Sequence, residues 1–378
     1  MSIRQMFPGS IVKPGFNPLA AQTTTFLYNL YSWGNGGDGR LGLGNETSYS
    51  SPVQVGSLTN WSVTAAGQSH SLAVKTDGTL WAWGANSVGQ LGLGNLTYYS
   101  SPKQVGSLTA WSKISCGSKH SLAIKTDGTL WSWGFGNNGG LGLGTPTATN
   151  ISSPQQVGSL TNWLTVAGGY NFTLATKTDG TLWSWGRSYA GQLGLGNTTL
   201  YSSPNQIGAL TSWLSVSCGY GQSLAIKTDG TLWSWGLNTD GQLGLGNTTY
   251  YSSPKQVGAL TNWSKISCGF RFNVATQTNG TLWSWGEGAS GKLGLGNTTS
   301  YSSPKQIGAL TTWSLISSLR DSVASIKTDE TLWSWGLNNA GQLGLGNRTN
   351  YSSPKQVGIL TTWGKIGSGY FIVLALEY

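Results

Sequence analysis

Leu130-Trp131-Ser132-Trp133-Gly134 is the stretch that decides the fold, because it occurs seven times in this chain with few substitutions. Its second tryptophan returns every 50 residues, with one interval of 52. A fixed period of this length marks a repeat protein, in which each copy forms one supersecondary unit and buries its apolar face against its neighbours. The seven copies place this tryptophan at Trp33, Trp83, Trp133, Trp185, Trp235, Trp285 and Trp335.

Each repeat contains four short runs with β-strand character, which we label A to D in chain order. In one copy, run A covers residues 111–117, run B covers His120–Lys125, and run C is the stretch quoted above. Asp127-Gly128 joins B to C, and such a pair predicts a tight hairpin whose two turn residues both have positive φ. Run D follows a glycine-rich loop, as at Lys103-Gln104-Val105. Four antiparallel strands per repeat predict one blade of a β-propeller.

The two ends of the chain complete this pattern. The repeats begin in run C, at residues 26–33, and end in run B, at residues 370–376. These two strands can pair into one composite blade, which removes the sheet edges that an open array would expose. We therefore predict an all-β, seven-bladed propeller of four-stranded antiparallel blades over residues 26–378. Residues 1–25 are rich in proline and glycine, which predicts an extended N-terminal arm.

Composition excludes several classes of protein. The net charge is +9, but the repeated lysines that produce most of the excess are spread around the ring, whereas a nucleic-acid site needs them on one face. The sequence therefore argues against a nucleic-acid partner. No run of 18 apolar residues is present, so we expect no membrane span. The sequence is compatible with a location in a virion, outside the cell or in the cytoplasm.

The cysteines and histidines give no catalytic pattern. Cys116, Cys218 and Cys268 share one repeat position that elsewhere holds alanine, glycine or serine, which predicts free thiols acting as small core residues. His70 and His120 share one strand-B position, and no partner for a triad or a metal repeats with them. We expect no enzymatic activity, no metal and no cofactor.

Variation between the copies is concentrated on one end of the predicted ring. The B–C turns and D–A connections hardly vary and form what we call the constant rim, whereas the A–B turns and C–D loops form the variable rim. Exposed aromatic and arginine residues are enriched in protein interfaces, although drift in unconstrained loops would also produce variation. The candidate binding residues are His70, Lys119, His120, Tyr170, Phe172, Arg187, Tyr189, Tyr220, Phe270, Arg271, Phe272, Arg320, Asp321, Tyr370 and Phe371.

Residues 66–94 closely resemble the repeat of the regulator-of-chromosome-condensation family, and the resemblance extends over residues 26–378. It implies a seven-bladed propeller with a composite closing blade. Members include an exchange factor for a small GTPase, a plant ultraviolet-B photoreceptor and bacterial inhibitors of β-lactamase. The inserted wing of the exchange factor and the photoreceptor's Gly-Trp-Arg-His-Thr signature are absent here. The copies are as similar to one another as those of bacterial or phage members, and residues 13–20 resemble the leaders of phage propellers.

The sequence thus predicts a non-enzymatic propeller that binds a protein or another macromolecule through the variable rim. The favoured hypothesis is a phage virion component, structural or receptor-binding, docked through residues 1–25, where Phe7, Ile11, Val12 and Phe16 supply apolar anchors. The alternative is a regulatory propeller that acts on a small GTPase or inhibits an enzyme.

Overall fold

A computed structural model describes residues 27–144 and 149–378, and in these parts every regular element except two short 3-10 turns is a β-strand. The strands form seven separate four-stranded antiparallel sheets arranged as the blades of one propeller, as predicted. The predicted arm, residues 1–25, lies outside the described residues. No helix in the described parts of the chain has the length and apolar character needed to cross a bilayer.

The strands follow one another in the same order in every repeat. In chain order they are β1 Asn29–Gly34, β2 Tyr49–Gln54, β3 Trp61–Ala66, β4 His70–Lys75, β5 Leu80–Gly84, β6 Tyr99–Gln104, β7 Trp111–Cys116, β8 His120–Lys125, β9 Leu130–Gly134, β10 Ile151–Gln156, β11 Trp163–Gly168, β12 Phe172–Lys177, β13 Leu182–Gly186, β14 Tyr201–Gln206, β15 Trp213–Cys218, β16 Gln222–Lys227, β17 Leu232–Gly236, β18 Tyr251–Gln256, β19 Trp263–Cys268, β20 Phe272–Gln277, β21 Leu282–Gly286, β22 Tyr301–Gln306, β23 Trp313–Ser318, β24 Ser322–Lys327, β25 Leu332–Gly336, β26 Tyr351–Gln356, β27 Trp363–Ser368 and β28 Ile372–Glu377. The 3-10 turns are Gly37–Gly39 and Ala289–Gly291.

The composite blade joins the two ends of the chain. Its strand order is β2-β1-β28-β27, and β1 pairs with β28 from Asn29↔Glu377 to Gly34↔Ile372 without a break in register. Strand β1 begins at Asn29, later than the predicted residue 26. Tyr28, just before this strand, forms an isolated bridge with Trp61 of the next blade. The ring is therefore closed by hydrogen bonds between strands that are distant in sequence.

The hairpin between strands B and C is present, but its type differs from the prediction. In one copy Gly128 has φ +78 and its N–H donates to the Lys125 carbonyl, whereas Asp127 does not have positive φ. This is the three-residue turn in which a type I turn is followed by a left-handed glycine. The Asp127 carboxylate accepts hydrogen bonds from the N–H and the hydroxyl of Thr129, at 2.9 and 2.7 Å. The Asp-Gly pair recurs because aspartate caps the turn with its side chain and glycine adopts the positive φ.

The second tryptophan of each repeat joins its blade to the preceding one. Its side chain is fully buried, and in all seven copies the indole N–H donates to a backbone carbonyl in the C–D loop of the preceding blade, at 2.9–3.1 Å. Trp133, for example, bonds to the Gln90 carbonyl at 3.0 Å. The same contact closes the ring, where Trp33 bonds to the Gln342 carbonyl at 3.1 Å. The tryptophans therefore form the interfaces between blades.

A glycine in the same loop leaves room for the indole. Gly92 has φ +74, and a Cβ placed there would lie 2.8 Å from Trp133 Nε1. The equivalent glycine meets the equivalent tryptophan in every other blade. Two separate features of the repeat, Gly-Leu-Gly and Trp-x-Trp-Gly, therefore form a single contact between neighbouring blades.

The three cysteines lie at the axial end of strand A, and all are free, as predicted. Burial raises the pKa of the Cys268 thiol to about 12, and it raises the pKa of Cys116 and Cys218 as well. Thiols with raised pKa values are poor nucleophiles, because the thiolate is the reactive form. Their role is to fill the narrow space where the A strands meet.

Two glycine substitutions isolate the contact between blades. Gly106 also has positive φ, +58, but no atom lies within 4 Å of an added Cβ. Both Gly92→Ala and Gly106→Ala place an alanine in a left-handed backbone conformation, which lowers the free energy of unfolding by about 1–2 kcal/mol. We expect Gly92→Ala to lower the free energy of unfolding by about 1–3 kcal/mol more, because its methyl group overpacks against Trp133. Denaturant unfolding measures both, and equal losses would show that the indole contact is not tightly packed.

Candidate protein interface on the variable rim

The A–B turns encircle one mouth of the central channel. The first residue of each turn donates its backbone N–H to a carbonyl in the turn of the next blade, at 3.0–3.3 Å, and the seven bonds form a closed ring. The last of them runs from Tyr370 back to the Gly67 carbonyl, at 3.2 Å. These bonds use only backbone atoms, so they place no restriction on the side chains. The residues at this position are Gln68, Ser118, Tyr170, Tyr220, Phe270, Arg320 and Tyr370.

Four of these side chains form an aromatic cluster on one side of the mouth. The ring centroids of Tyr170 and Tyr220 are 4.8 Å apart, and those of Tyr220 and Phe270 are 4.3 Å apart. Tyr370 meets Phe270 edge-on at 6.3 Å, and Tyr189, from a C–D loop, meets Tyr220 at 6.3 Å. Burial raises the pKa of Tyr189 to about 12 and also raises that of Tyr370, so both hydroxyls stay protonated. Residues from four different blades are thus brought together.

Arginine side chains lie on the edges of this cluster. The Arg320 guanidinium is 4.9 Å from the Phe270 ring centroid and 5.4 Å from that of Phe371. The Arg271 guanidinium lies 5.6 Å from the Phe270 ring centroid. Each of these two arginine side chains is about two-fifths exposed. A guanidinium on an aromatic face is held by a cation–π interaction and keeps N–H groups available for a partner.

A buried lysine organises the acidic residues beside the arginines. Lys292 is only 2% exposed, and its ammonium donates to Glu287 at 2.8 Å and to Asp321 at 2.7 Å. Asp321 also lies 3.3 Å from Arg320, and Asp240 lies 3.6 Å from Arg271. A buried cation is tolerated only when it is paired, so the two carboxylates hold Lys292 in place and are themselves fixed. Four other copies have glutamine at the position of Lys292, which was the sequence signal for this network.

Four candidate residues lie beneath the rim rather than on it. Phe172, Phe272, His70 and His120 are all at most 1% exposed. A surface partner has no access to them in this conformation, because strand B is covered by the neighbouring blades. Their candidate status rested on their position next to variable turns. The first residue of strand B, however, points into the blade interface. Lys119 and Arg187, in contrast, are exposed on the rim.

The two histidines make structural hydrogen bonds. His70 Nε2 lies 2.9 Å from the Ser121 hydroxyl, which donates its own proton to the Gln90 carbonyl, so the imidazole must be the donor. His120 Nε2 lies 3.2 Å from the Thr173 hydroxyl, which donates its proton to the Gly140 carbonyl, so this imidazole is also the donor. Burial lowers the pKa of His70 to about 3, with smaller contributions from His120 and Arg40, and it lowers the pKa of His120 to about 4. Both rings are therefore neutral. Within the described residues, no cluster of three or more potential metal ligands is present.

The chain matches the model of the regulator of chromosome condensation (RCC1) repeat over residues 29–74, 77–124, 127–176, 179–226, 229–276, 279–318 and 329–376. It gives no match among curated protein sequences.

Among solved structures, human WBSCR16 is similar with a TM-score of 0.84 and 22% identity, over 93% of this chain and 98% of that one. Prp20p from Saccharomyces cerevisiae gives a TM-score of 0.84 and 19% identity, over 94% of this chain and 92% of that one. The yeast protein in its complex with Kap60 gives 0.82 and 20%, over 100% and 96%. At these identities the likeness shows the fold.

The buried histidines predict a loss of stability in acid. Their pKa values in the folded protein, about 3 and about 4, lie below the usual value of 6.5. Between the folded pKa and pH 6.5, the unfolded chain therefore binds more protons than the folded protein does. The stabilising contribution is complete above about pH 6.5 and is lost as the pH falls toward 4, by up to about 1.4 kcal/mol per pH unit for each histidine. Unfolding measured from pH 7 to 4.5 checks this. In His70→Gln/His120→Gln, which copies Gln222 at the same repeat position, the slope should become shallower. An unchanged slope would assign the acid sensitivity to other groups.

Proposed function

Because the chain belongs to the regulator of chromosome condensation (RCC1) repeat family, we propose that it is a regulatory propeller that binds a protein partner on its variable rim. The rigid ring presents the binding residues, and the partner covers the mouth of the central channel. Regulation then consists of binding itself, either of a small GTPase or of an enzyme that is inhibited. The proposed contact residues are the partly exposed aromatic and arginine side chains of the rim.

The single observation that carries this proposal is the cluster of Tyr170, Tyr220, Phe270 and Tyr370 with Arg320 beside it. Tyrosine and arginine are the residues most often found as energetic hot spots of protein interfaces. The fold does not demand them, since the equivalent positions in other blades hold glutamine and serine. The side chains pack on one another before any partner arrives, which reduces the entropy lost on binding.

Proteins with the same fold support a protein partner. Yeast Prp20p binds Gsp1p and histones, and a second structure shows the same yeast protein in complex with Kap60. None of these structures offers support for a virion component, so that expectation from the sequence forms no part of the proposal. The family resemblance supports either regulatory activity.

We further propose that the protein acts without catalysis. Both histidines are buried and neutral, and their Nε2 atoms are engaged by hydroxyl groups in the blade interfaces. The buried ammonium of Lys292 is held between two carboxylates. The Nε2 atoms of both histidines and the ammonium of Lys292 are therefore engaged by contacts within the ring. The thiols have raised pKa values, which keeps them in the unreactive form.

Substitution of the rim arginines tests the interface. Arg271→Ser with Arg320→Ser copies residues found in other blades, Ser69 and Ser118, so the fold should be retained. We expect the affinity for the partner to fall by about 30-fold or more, the loss typical of a hot spot worth 2 kcal/mol. The partner is the protein that cross-links to the full chain in extracts of its source cells, and its affinity is then measured with purified components.

A variant on the constant rim provides the control. Asp229→Asn copies Asn279, which caps the same turn in another blade, and it should leave the affinity unchanged. Full binding by the double arginine variant, or equal losses in both variants, would place the partner elsewhere. If the partner is a small GTPase, release of labelled GDP in the presence of the propeller then separates exchange from simple binding.

A further inference from the structure

The constant rim carries repeated aspartates and exposed leucines, and each of these aspartates has a lysine two residues before it in the sequence. Its B–C turns carry exposed carboxylates whose pKa values are lowered by hydrogen bonds from threonine hydroxyls, so they stay charged. Each D–A connection adds one leucine that is 44–52% exposed. The acids of the turns are Asp77, Asp127, Asp179, Asp229 and Asp329, and the leucines are Leu58, Leu108, Leu160, Leu210, Leu260, Leu310 and Leu360.

Apolar grooves lie between neighbouring blades next to this rim. The groove between the composite blade and the blade that follows it, which we call the first groove, has a volume of about 300 Å³ and is open to solvent. Its apolar walls are formed by Leu43, Val55, Leu58, Trp61, Trp81 and Pro102. Trp81 is tied to the constant rim, because its indole N–H donates to the Thr79 hydroxyl, which in turn donates to Asp77. The Lys75 ammonium lies 3.8 Å from the Trp81 ring centroid, so the groove has apolar walls with a carboxylate and an ammonium beside them.

The described chain begins beside the first groove. Leu27 is 57% exposed, and the next residue, Tyr28, accepts a hydrogen bond from the N–H of Trp61 at 3.3 Å. Tyr28 packs against the same apolar cluster as the groove residues Leu43 and Trp81. Burial and the nearby Glu330 carboxylate raise the pKa of the Tyr28 hydroxyl, which places a second acid close to this point. The Lys365 ammonium also lies 5.2 Å from the Tyr28 ring centroid, so Leu27 stands beside an apolar groove and a group of charges of both signs.

Residues 1–26 have the complementary composition. They contain Arg4 and Lys13 but no aspartate or glutamate. Their apolar residues include Phe16 and Leu19, which are 11 and 8 positions before Leu27 and can reach the groove, since an extended chain spans about 3.3 Å per residue. Because the segment is tethered, its effective concentration at the groove is on the order of millimolar.

We propose that residues 1–26 bind to their own propeller, with Phe16 and Leu19 in the first groove and the basic residues against the exposed carboxylates of the constant rim. This inference does not depend on the proposed function. The segment binds beside the constant rim and along a groove between two blades, and so leaves the A–B turns that form the candidate protein interface uncovered.

Disulfide formation in the full chain tests this placement. Ser101 lines the first groove, and Ser51 is its repeat equivalent on the other side of the composite blade, facing Gly346 as Ser101 faces Gly44. Ala20→Cys is combined with either Ser101→Cys or Ser51→Cys, which are nearly isosteric changes at exposed positions. The native thiols are slow to react, because their pKa values are raised.

We expect the Ser101→Cys pair to form an intramolecular disulfide about tenfold faster than the Ser51→Cys pair, as a preferred site requires. Non-reducing electrophoresis with peptide mapping measures both rates. Equal rates would mean that the segment has no preference for the first groove, and disulfide-linked dimers would mean that it binds another copy. Either result overturns the proposal.

The chemistry of the contact is tested in the Ala20→Cys/Ser101→Cys background. Phe16→Ser/Leu19→Ser removes the anchors without touching the propeller. Asp77→Asn/Glu330→Gly removes two charges and restores residues that other copies carry at these positions. Each pair of changes should slow disulfide formation by about threefold, the size expected for exposed charge pairs and partly buried side chains. A rate unchanged by both would contradict the complementarity on which the proposal rests.

Discussion

The hydrogen bond from a buried indole to a backbone carbonyl of the preceding blade is the interaction on which the ring depends. It occurs in all seven blades within a narrow range of length, from 2.9 to 3.1 Å. Because the indole is fully buried, losing the bond would leave a polar group unsatisfied in an apolar interface. Each blade is therefore placed by its neighbour. Because the acceptor is a backbone carbonyl, the side chain of the accepting residue can vary, as from Gln242 to Lys292, whereas the indole and the glycine that meets it are the same in all seven blades.

This constraint explains where the molecule is free to change. The A–B turns are held in a closed circle by backbone hydrogen bonds, so tyrosine, serine and arginine all fit the same position without a cost to the ring. On the constant rim, in contrast, aspartate and threonine side chains make the turn themselves. The constant rim thus uses side chains to build its turns, whereas the A–B turns of the variable rim are joined to one another through backbone atoms. Binding residues can therefore accumulate in the A–B turns.

Most of the fold could be predicted from the sequence because its determinants are local and periodic. The tryptophan spacing, the Asp-Gly turns and the two incomplete terminal repeats indicate seven blades and a composite closure. The aromatic cluster could be predicted only as a set of rim residues. The 4.3 Å contact of Tyr220 with Phe270 depends on how closely the ring brings adjacent turns together. His70 and Phe172 illustrate the opposite limit, since their burial follows from the neighbouring blade, which no local pattern reveals.

The charged network shows how one substitution can change the surface around it. Glutamine at the position of Lys292 bonds to the backbone of its own loop in other blades, as Gln242 does with the N–H of Asp240 at 2.9 Å. Lysine at that depth must instead find carboxylates, and it takes Glu287 and Asp321, one from its own loop and one from the next blade. Asp321 then stands beside Arg320, which is stacked on Phe270. A buried cation thereby fixes the position of an exposed one, and the rim becomes rigid at the place where its aromatic side chains are concentrated.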